Sequence, residues 1–223
     1  MSKRTKKNGG RAGRWLPPLT AARVRQGWET PGGGRIRPIR AGEEDDADAL
    51  LRTAGVELDP YLRHSITDGT LASALLSGLD TSREAYYTAA LMACAKPKLA
   101  QGLPSLSLIL VAENSTGGLA GVVAGMPPVS VLNMALDHGY TTEQSIAMSL
   151  AIAKIQGLAV AEHARGQGLA TALLKRAWQT YHQLGFLLAY SSFETDRDLG
   201  GFYTRQGYTV HAPGEHLSLE RLS

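Results

Sequence analysis

Hydrophobic residues recur along this chain with two different periods, and stretches of the two kinds alternate. Leu106-Ser107-Leu108-Ile109-Leu110-Val111-Ala112 is an almost unbroken apolar run of strand length, and Leu119 to Gly125 is another. Between them Glu113-Asn114-Ser115-Thr116-Gly117-Gly118 is turn chemistry, so the pair predicts a hairpin, ended by Pro127-Pro128. Thr141-Thr142-Glu143 marks a helix start, with the helix running to about Leu150. Ile152 to Val160 then reads as a strand whose period-two geometry places Ile152, Lys154, Gln156, Leu158 and Val160 on one face. After a glycine-containing loop the period changes to 3.6. Apolar positions at 169, 173, 174, 177, 178, 181 and 184 predict an amphipathic helix stopped by Gly185. Phe186 to Tyr190 is a further strand. Upstream, Arg35-Ile36-Arg37-Pro38-Ile39 predicts a short edge strand, where a proline is tolerated. The acids from Glu43 to Asp48 suit a first helical turn and fan outward rather than converging on a metal. Residues 60–105 are helical and loop segments rich in Ala and Leu.

Composition narrows the class. Hydrophobic residues are 43% of 223, enough for a core, and no run approaches the ~18 apolar residues of a membrane span. A single cysteine, Cys94, excludes an internal disulfide framework and multi-cysteine metal sites, and a lone thiol fits a reducing cytoplasm. The net charge of +3 conceals an asymmetry: residues 1–40 carry eleven Lys/Arg against one acid, a balance of +10, and the remainder balances at −7. Residues 1–34 are therefore expected to form a flexible basic arm. It is either a plain solvated tail or a contact for nucleic acid or another acidic partner. Trp15 and Trp28 either offer stacking surfaces there or fold back on the domain. The domain proper is expected to span 35–223. Loss of the arm is expected to leave cofactor binding intact.

A strand, a glycine loop and a helix in succession place free N–H groups at a helix N-terminus, which favours a phosphate; Arg165 adds a fixed charge. The P-loop pattern GxxxxGK[ST] is absent. The dinucleotide fingerprint fails too, because Thr171 occupies its third glycine position and no acid follows in the next strand.

Arg165-Gly166-Gln167-Gly168-Leu169-Ala170 does fit Arg-x-x-Gly-x-Ala. It follows Gly157-Leu158-Ala159-Val160 and precedes Leu199-Gly200-Gly201-Phe202-Tyr203-Thr204-Arg205-Gln206-Gly207-Tyr208. This combination resembles the GCN5-related N-acetyltransferase (GNAT) superfamily, most specifically over 152–210. The resemblance implies an α/β fold with a mixed central β-sheet and helices on both faces. It implies that Arg165, Gly166, Gln167, Gly168, Leu169 and Ala170 hold the pyrophosphate of acetyl-CoA. Main-chain groups of Leu158, Ala159 and Val160 would then meet the pantetheine, and Tyr203 would lie near the thioester sulfur. In two places the sequence departs from the family pattern. Asp196 stands where an Asn is common, and Gln156 stands where a basic Glu is common; a glutamine orients water but takes no proton.

The expected activity is therefore transfer of an acetyl group to an amine, either a small molecule or a protein amine, with no metal. Tyr203 would protonate the leaving thiolate, and an N–H near Leu158 would face the oxyanion. Glu194 is a candidate base or a clamp on a cationic acceptor. His138, His163 and Cys94 are weaker candidates. The acceptor wall is expected from 60–105 and 126–151. Three other functions remain compatible: an aminoacyl-tRNA acetyltransferase using the arm for RNA, a CoA-binding module without catalysis, and a non-enzymatic nucleic-acid-binding protein. The expected location is cytoplasmic, without membrane attachment, as monomer or homodimer.

Overall fold

The computed structural model describes residues 18–30, 32–94, 102–191, 199–211 and 219–222. Its strands are β1 (Trp28–Glu29), β2 (Arg35–Pro38), β3 (Leu108–Glu113), β4 (Leu119–Met126), β5 (Ile152–Val160), β6 (Leu188–Ser191), β7 (Thr209–Val210) and β8 (Leu219–Leu222). They form one sheet in the order β1-β2-β3-β4-β5-β6-β8-β7. Among these pairings β5–β6 is parallel and the others are antiparallel. The helices are α1 (Ala21–Gln26), α2 (Glu44–Arg52), α3 (Pro60–Thr67), α4 (Ser73–Leu79), α5 (Arg83–Cys94), α6 (Val129–Asp137), α7 (Thr142–Ser149), α8 (Leu169–Gln183) and α9 (Gly200–Arg205). Two apolar clusters result, one on each face. One gathers Leu110, Val123, Leu173, Trp178 and Tyr181 beneath α8, and the other packs Leu51, Leu62 and Ile66 of α2 and α3 on Ile109, Val111 and Val122. The expected mixed α/β sheet, with helices on both faces, is what the chain forms.

The acids at the start of α2 are structural. Asp48 accepts the Leu58 N–H and the guanidiniums of Arg52 and Arg63, and Glu44 accepts the Thr67 hydroxyl. They tie α2 to α3. Arg37, 2% exposed, donates to both carboxylate oxygens of Glu43, at 2.8 and 2.6 Å, and to Glu113 at 2.7 Å. Burial pulls the Glu43 carboxyl upward; the bonds from Arg37 and the Arg40 N–H outweigh it and hold it below the usual range. Arg37→Met should cost about 3–5 kcal/mol at neutral pH, because two carboxylates lose their cation. The penalty should shrink in acid. Wild-type stability from the depressed Glu43 is lost as pH falls, whereas the variant's orphaned carboxylates take up protons. Urea midpoints at pH 7 and pH 4.5 check this, and an equal penalty at both would contradict it.

Residues 18–30 and 32–34 depart from the sequence expectation of a flexible arm. Leu19, Val24 and Trp28 are buried, and β1 pairs outside β2 through Trp28 and Ile36, so β2 is not the edge strand expected. Pro38 is accommodated because β1 ends before reaching it. Gly27 makes the turn: its φ is +78°, and a Cβ there would lie within 2.2 Å of the Ile36 carbonyl oxygen. The segment runs alongside α8 from end to start. The Gln183 amide bonds both the N–H and the C=O of Leu19 (2.5 and 2.6 Å). The Trp28 ring lies 5.0 Å from the Arg176 guanidinium and 6.0 Å from that of Arg23. Gly32 comes next to Gln167. Arg37 of the basic stretch is thus buried in internal ion pairs, while Arg23 stays exposed over the Trp28 ring. Residues 1–17, with Trp15, lie outside the described residues.

Candidate active site

The middle of β5 carries an irregularity. Ala124 pairs with Gly157 and Gly125 with Ile155, so Gln156 is an extra residue with no partner on β4. One inserted residue reverses the sense of strand alternation. Ala153 and Ile155 face the α8 side, as do Leu158 and Val160, whereas Ala159 belongs to the α2–α3 side. The single face expected for Ile152, Lys154, Gln156, Leu158 and Val160 is therefore split at Gln156. The Gln156 amide donates to the Met126 sulfur at 2.8 Å.

On its other edge β5 pairs with β6 only from Ile152 to Lys154. Beyond that the strands part, and the outer edge of β5 from Ile155 to Val160 faces a cleft of about 730 Å³. Gln156, Leu158, Ala159, Val160, Arg165 and Ala170 line one wall; Leu199, Phe202 and Tyr203 line the facing wall, and Thr53 to Val56 after α2 close a side. The Ser191 hydroxyl donates to the Ile155 carbonyl at 2.9 Å where the strands separate. Arg165 Nε donates to the Val160 carbonyl at 3.3 Å, which fixes that carbonyl on the open edge. Leu158, two residues back, directs its main-chain groups the same way.

At the mouth, the loop before α8 offers donors. Gly166 and Gly168 both have φ of +78°, and a Cβ at either would meet nothing within 4 Å. The Gly168 carbonyl accepts the first helical bond, from the Ala172 N–H at 3.0 Å. The N–H groups of Leu169, Ala170 and Thr171 therefore have no carbonyl one turn back. Together with the exposed Arg165 they make an anion cradle on a fifteen-residue helix. Gln167 is exposed, its amide directed to the His163 carbonyl at 3.5 Å, and the Leu169 side chain is buried in the α8 core.

Tyr203 is 7% exposed and packs edge-on against Phe202 and Tyr208, with centroids at 5.0 and 5.8 Å. Burial pushes its phenol up to about 12. The structure thus brings Gln156, Leu158, Ala159, Val160, Arg165, Ala170 and Tyr203 to one cleft. Glu194 and Asp196 lie outside the described residues. His138 and His163 are exposed and stand apart from the cleft lining. Cys94 is buried, and burial pushes its thiol up to about 11, which suits a packed thiol and not a nucleophile. Met126, Ser191 and the Thr53–Val56 turn also belong to this region; no local pattern marks them, since strand divergence and helix docking place them there. A smaller hollow of about 340 Å³ is lined by Glu29, Thr30, Gly33, Arg35, Glu113 and Asn114, away from this cleft. Among the described residues no three His, Cys, Asp or Glu converge on a metal position, and no helix is long and apolar enough to cross a membrane.

Residues 105–210 match the sequence profile of the acetyltransferase (GNAT) domain. The GNAT domain of PAT from S. lividans is 13% identical with a TM-score of 0.51, over 85% of this chain and 90% of that one, a likeness of fold. GNAT family N-acetyltransferase YhbS from Escherichia coli, in complex with CoA, is 21% identical with a TM-score of 0.47, covering 85% of this chain and 81% of its own. PaiA N-acetyltransferase from Thermoplasma acidophilum, in complex with coenzyme A, is 14% identical with a TM-score of 0.48, covering 85% and 99%. No curated protein sequence matches.

Proposed function

From the premise that this chain carries a GNAT acetyltransferase domain, we propose that it transfers an acetyl group from acetyl-CoA to an amine by direct attack. The observation that carries this reading is the continuity of three features in one cleft: the anion cradle before α8, the open edge of β5, and Tyr203 opposite. The cradle fits a pyrophosphate, because two left-handed glycines leave its N–H groups uncovered and Arg165 supplies charge. The β5 edge fits an extended amide-containing arm, because the Leu158 and Val160 main-chain groups can pair with it as a missing strand would. Acetyl-CoA supplies the activated acyl group.

Each further step belongs to the protein. An N–H on the β5 edge near Leu158 faces the thioester carbonyl oxygen as it becomes anionic. Gln156 keeps one amide N–H on Met126 and has its carbonyl oxygen available to orient the incoming amine or a water. Tyr203 donates its proton toward sulfur, and the attacking nitrogen releases one in turn, so the phenol ends protonated. Asp196 and Glu194 are retained as candidates, for cofactor contact and for the base. Gln156 at the family's usual glutamate position also favours a second reading, a CoA-binding module without turnover.

Calorimetry with acetyl-CoA followed by an amine panel tests both. Acetyl-CoA at a hundred times its Kd should stabilise the protein by about 2.7 kcal/mol. Arg165→Glu, an exposed change, should weaken binding at least about tenfold, one charge-assisted contact being worth ~1.5–3 kcal/mol. Undiminished binding by that variant would place the cofactor elsewhere. Binding without transfer to any amine would leave the module reading.

A further inference from the structure

A second cation stands at the far end of β5 from the anion cradle. Lys154 is six residues before Val160, about 20 Å along the strand, so it does not share the pyrophosphate held near Arg165. It occupies the last β5 position that pairs with β6, opposite Tyr190, at the vertex where the two strands part. Its antiparallel partner across β4 is Met126. Partners in an antiparallel pair project to the same face, and Met126 belongs to the α2–α3 side. Lys154 therefore rises on that side, next to the Met126 sulfur that accepts the Gln156 amide. The bulge at Gln156 produces this juxtaposition. Without the extra residue, Lys154 would share a face with Leu158 and Val160 and point into the core beneath α8.

Lys154 is half-buried, yet it makes no hydrogen bond or ion pair with a described residue. Among the described residues its strand neighbours carry no opposite charge: Met126 and Tyr190 are uncharged, and Gln156 is neutral. An ammonium with no opposite charge among its described neighbours leaves a counter-ion favourable there. The Gln156 amide, adjacent, has a second N–H to share with the same anion.

We propose that Lys154 is the anion subsite of the acceptor pocket, and that the acceptor is an amine that also carries a carboxylate or phosphate. This rests on the acetyltransferase reading of the same cleft. In it the reacting amine lies between Gln156 and Tyr203, and the acceptor's anionic group reaches past Ile155, which lines the cleft, to Lys154, which adjoins that lining without being part of it. The subsite would be a specificity device. It discriminates among amines by a second group on the acceptor and takes no part in the proton transfers.

Matched amine pairs test it: amino acids against their amides, and phosphoethanolamine against ethanolamine. The wild type should prefer the anionic member of at least one pair, carboxylate or phosphate, read as kcat/KM. Lys154→Gln should lower that preference by about 10–100-fold, the range of a charged hydrogen bond, with the loss in KM. Lys154→Arg should retain most of it. The acetyl-CoA Kd measured on each variant reports folding. The same pairs titrated into the protein, with and without CoA, read the subsite at equilibrium without turnover. If acetyl-CoA fails to bind, or no amine is acetylated, the acetyltransferase reading fails, and the titrations still decide Lys154. A wild type that favours the neutral member of every pair, or an anionic preference that survives Lys154→Gln, overturns the proposal.

Discussion

Tyr203→Phe should slow acetyl transfer by about 10²–10⁴-fold while leaving the acetyl-CoA Kd almost unchanged. The ring keeps its edge-on packing with Phe202 and Tyr208, so the substitution removes the hydroxyl and preserves the aromatic contacts. Burial raises the phenol to about 12. A free thiol lies near ~8.5, so complete proton transfer to a finished thiolate would be uphill by about 5 kcal/mol. The phenol therefore passes its proton to sulfur only in concert with C–S cleavage and with its own replacement by the proton leaving the attacking nitrogen. The deficit should appear in kcat rather than in cofactor binding, and an acyl donor with a less basic leaving thiolate should narrow it. Single-turnover rates with two such donors check this. Wild-type rates from Tyr203→Phe would reduce Tyr203 to a packing residue.

Removing residues 1–34 should abolish cooperative folding rather than spare the cofactor site. Leu19, Val24 and Trp28 are each at most 4% exposed in the core beneath α8. Burying each contributes ~1.5–3 kcal/mol, together about 5–9 kcal/mol against a typical total of about 5–15 kcal/mol. The truncation also strips the outer partner from β2. Trp28→Ala alone should cost about 3–5 kcal/mol and free the Arg176 and Arg23 guanidiniums from its ring. Thermal denaturation of both proteins checks this. A truncated chain with wild-type melting would show that the segment is dispensable.

The strand–loop–helix unit was legible because its signals are local. Period two from Ile152 to Val160, glycines before Leu169, and a 3.6 period to Leu184 each arise within one element, and the structure forms β5 and α8 where they predict. The Thr141 helix start is likewise confirmed, as a capping box with Gln144. The packed segment from Leu19 to Trp28 was not legible. Its six-residue helix is too short to show a period, and its exposed arginines masked the buried Ala21, Val24 and Trp28, of which only the folding back of Trp28 was open in the sequence. The bulge was also hidden. Burial alternates without a break along β5, from half-buried Ile152 to half-buried Val160, so only the register against β4 reveals the change of face. The role of Arg37 depends on Glu113, 76 residues away, a separation that no local pattern encodes.

The extra residue at Gln156 also divides β5 into two parts that can change independently. The half from Gly157 to Val160 presents its open edge to the region of the anion cradle, and its constraint is main-chain direction. The half from Ile152 to Ile155 pairs with β6 as far as Lys154 and with β4 through Lys154 and Ile155, and its constraint is side-chain identity on the two faces. Substitution at Lys154 or Gln156 can thus alter what the vertex of the cleft recognises without disturbing the edge beyond it. Loss of a residue from the strand could not, since it would force one half or the other to turn over. The same sheet can in this way keep one ligand groove constant while the chemistry at its end diverges one side chain at a time.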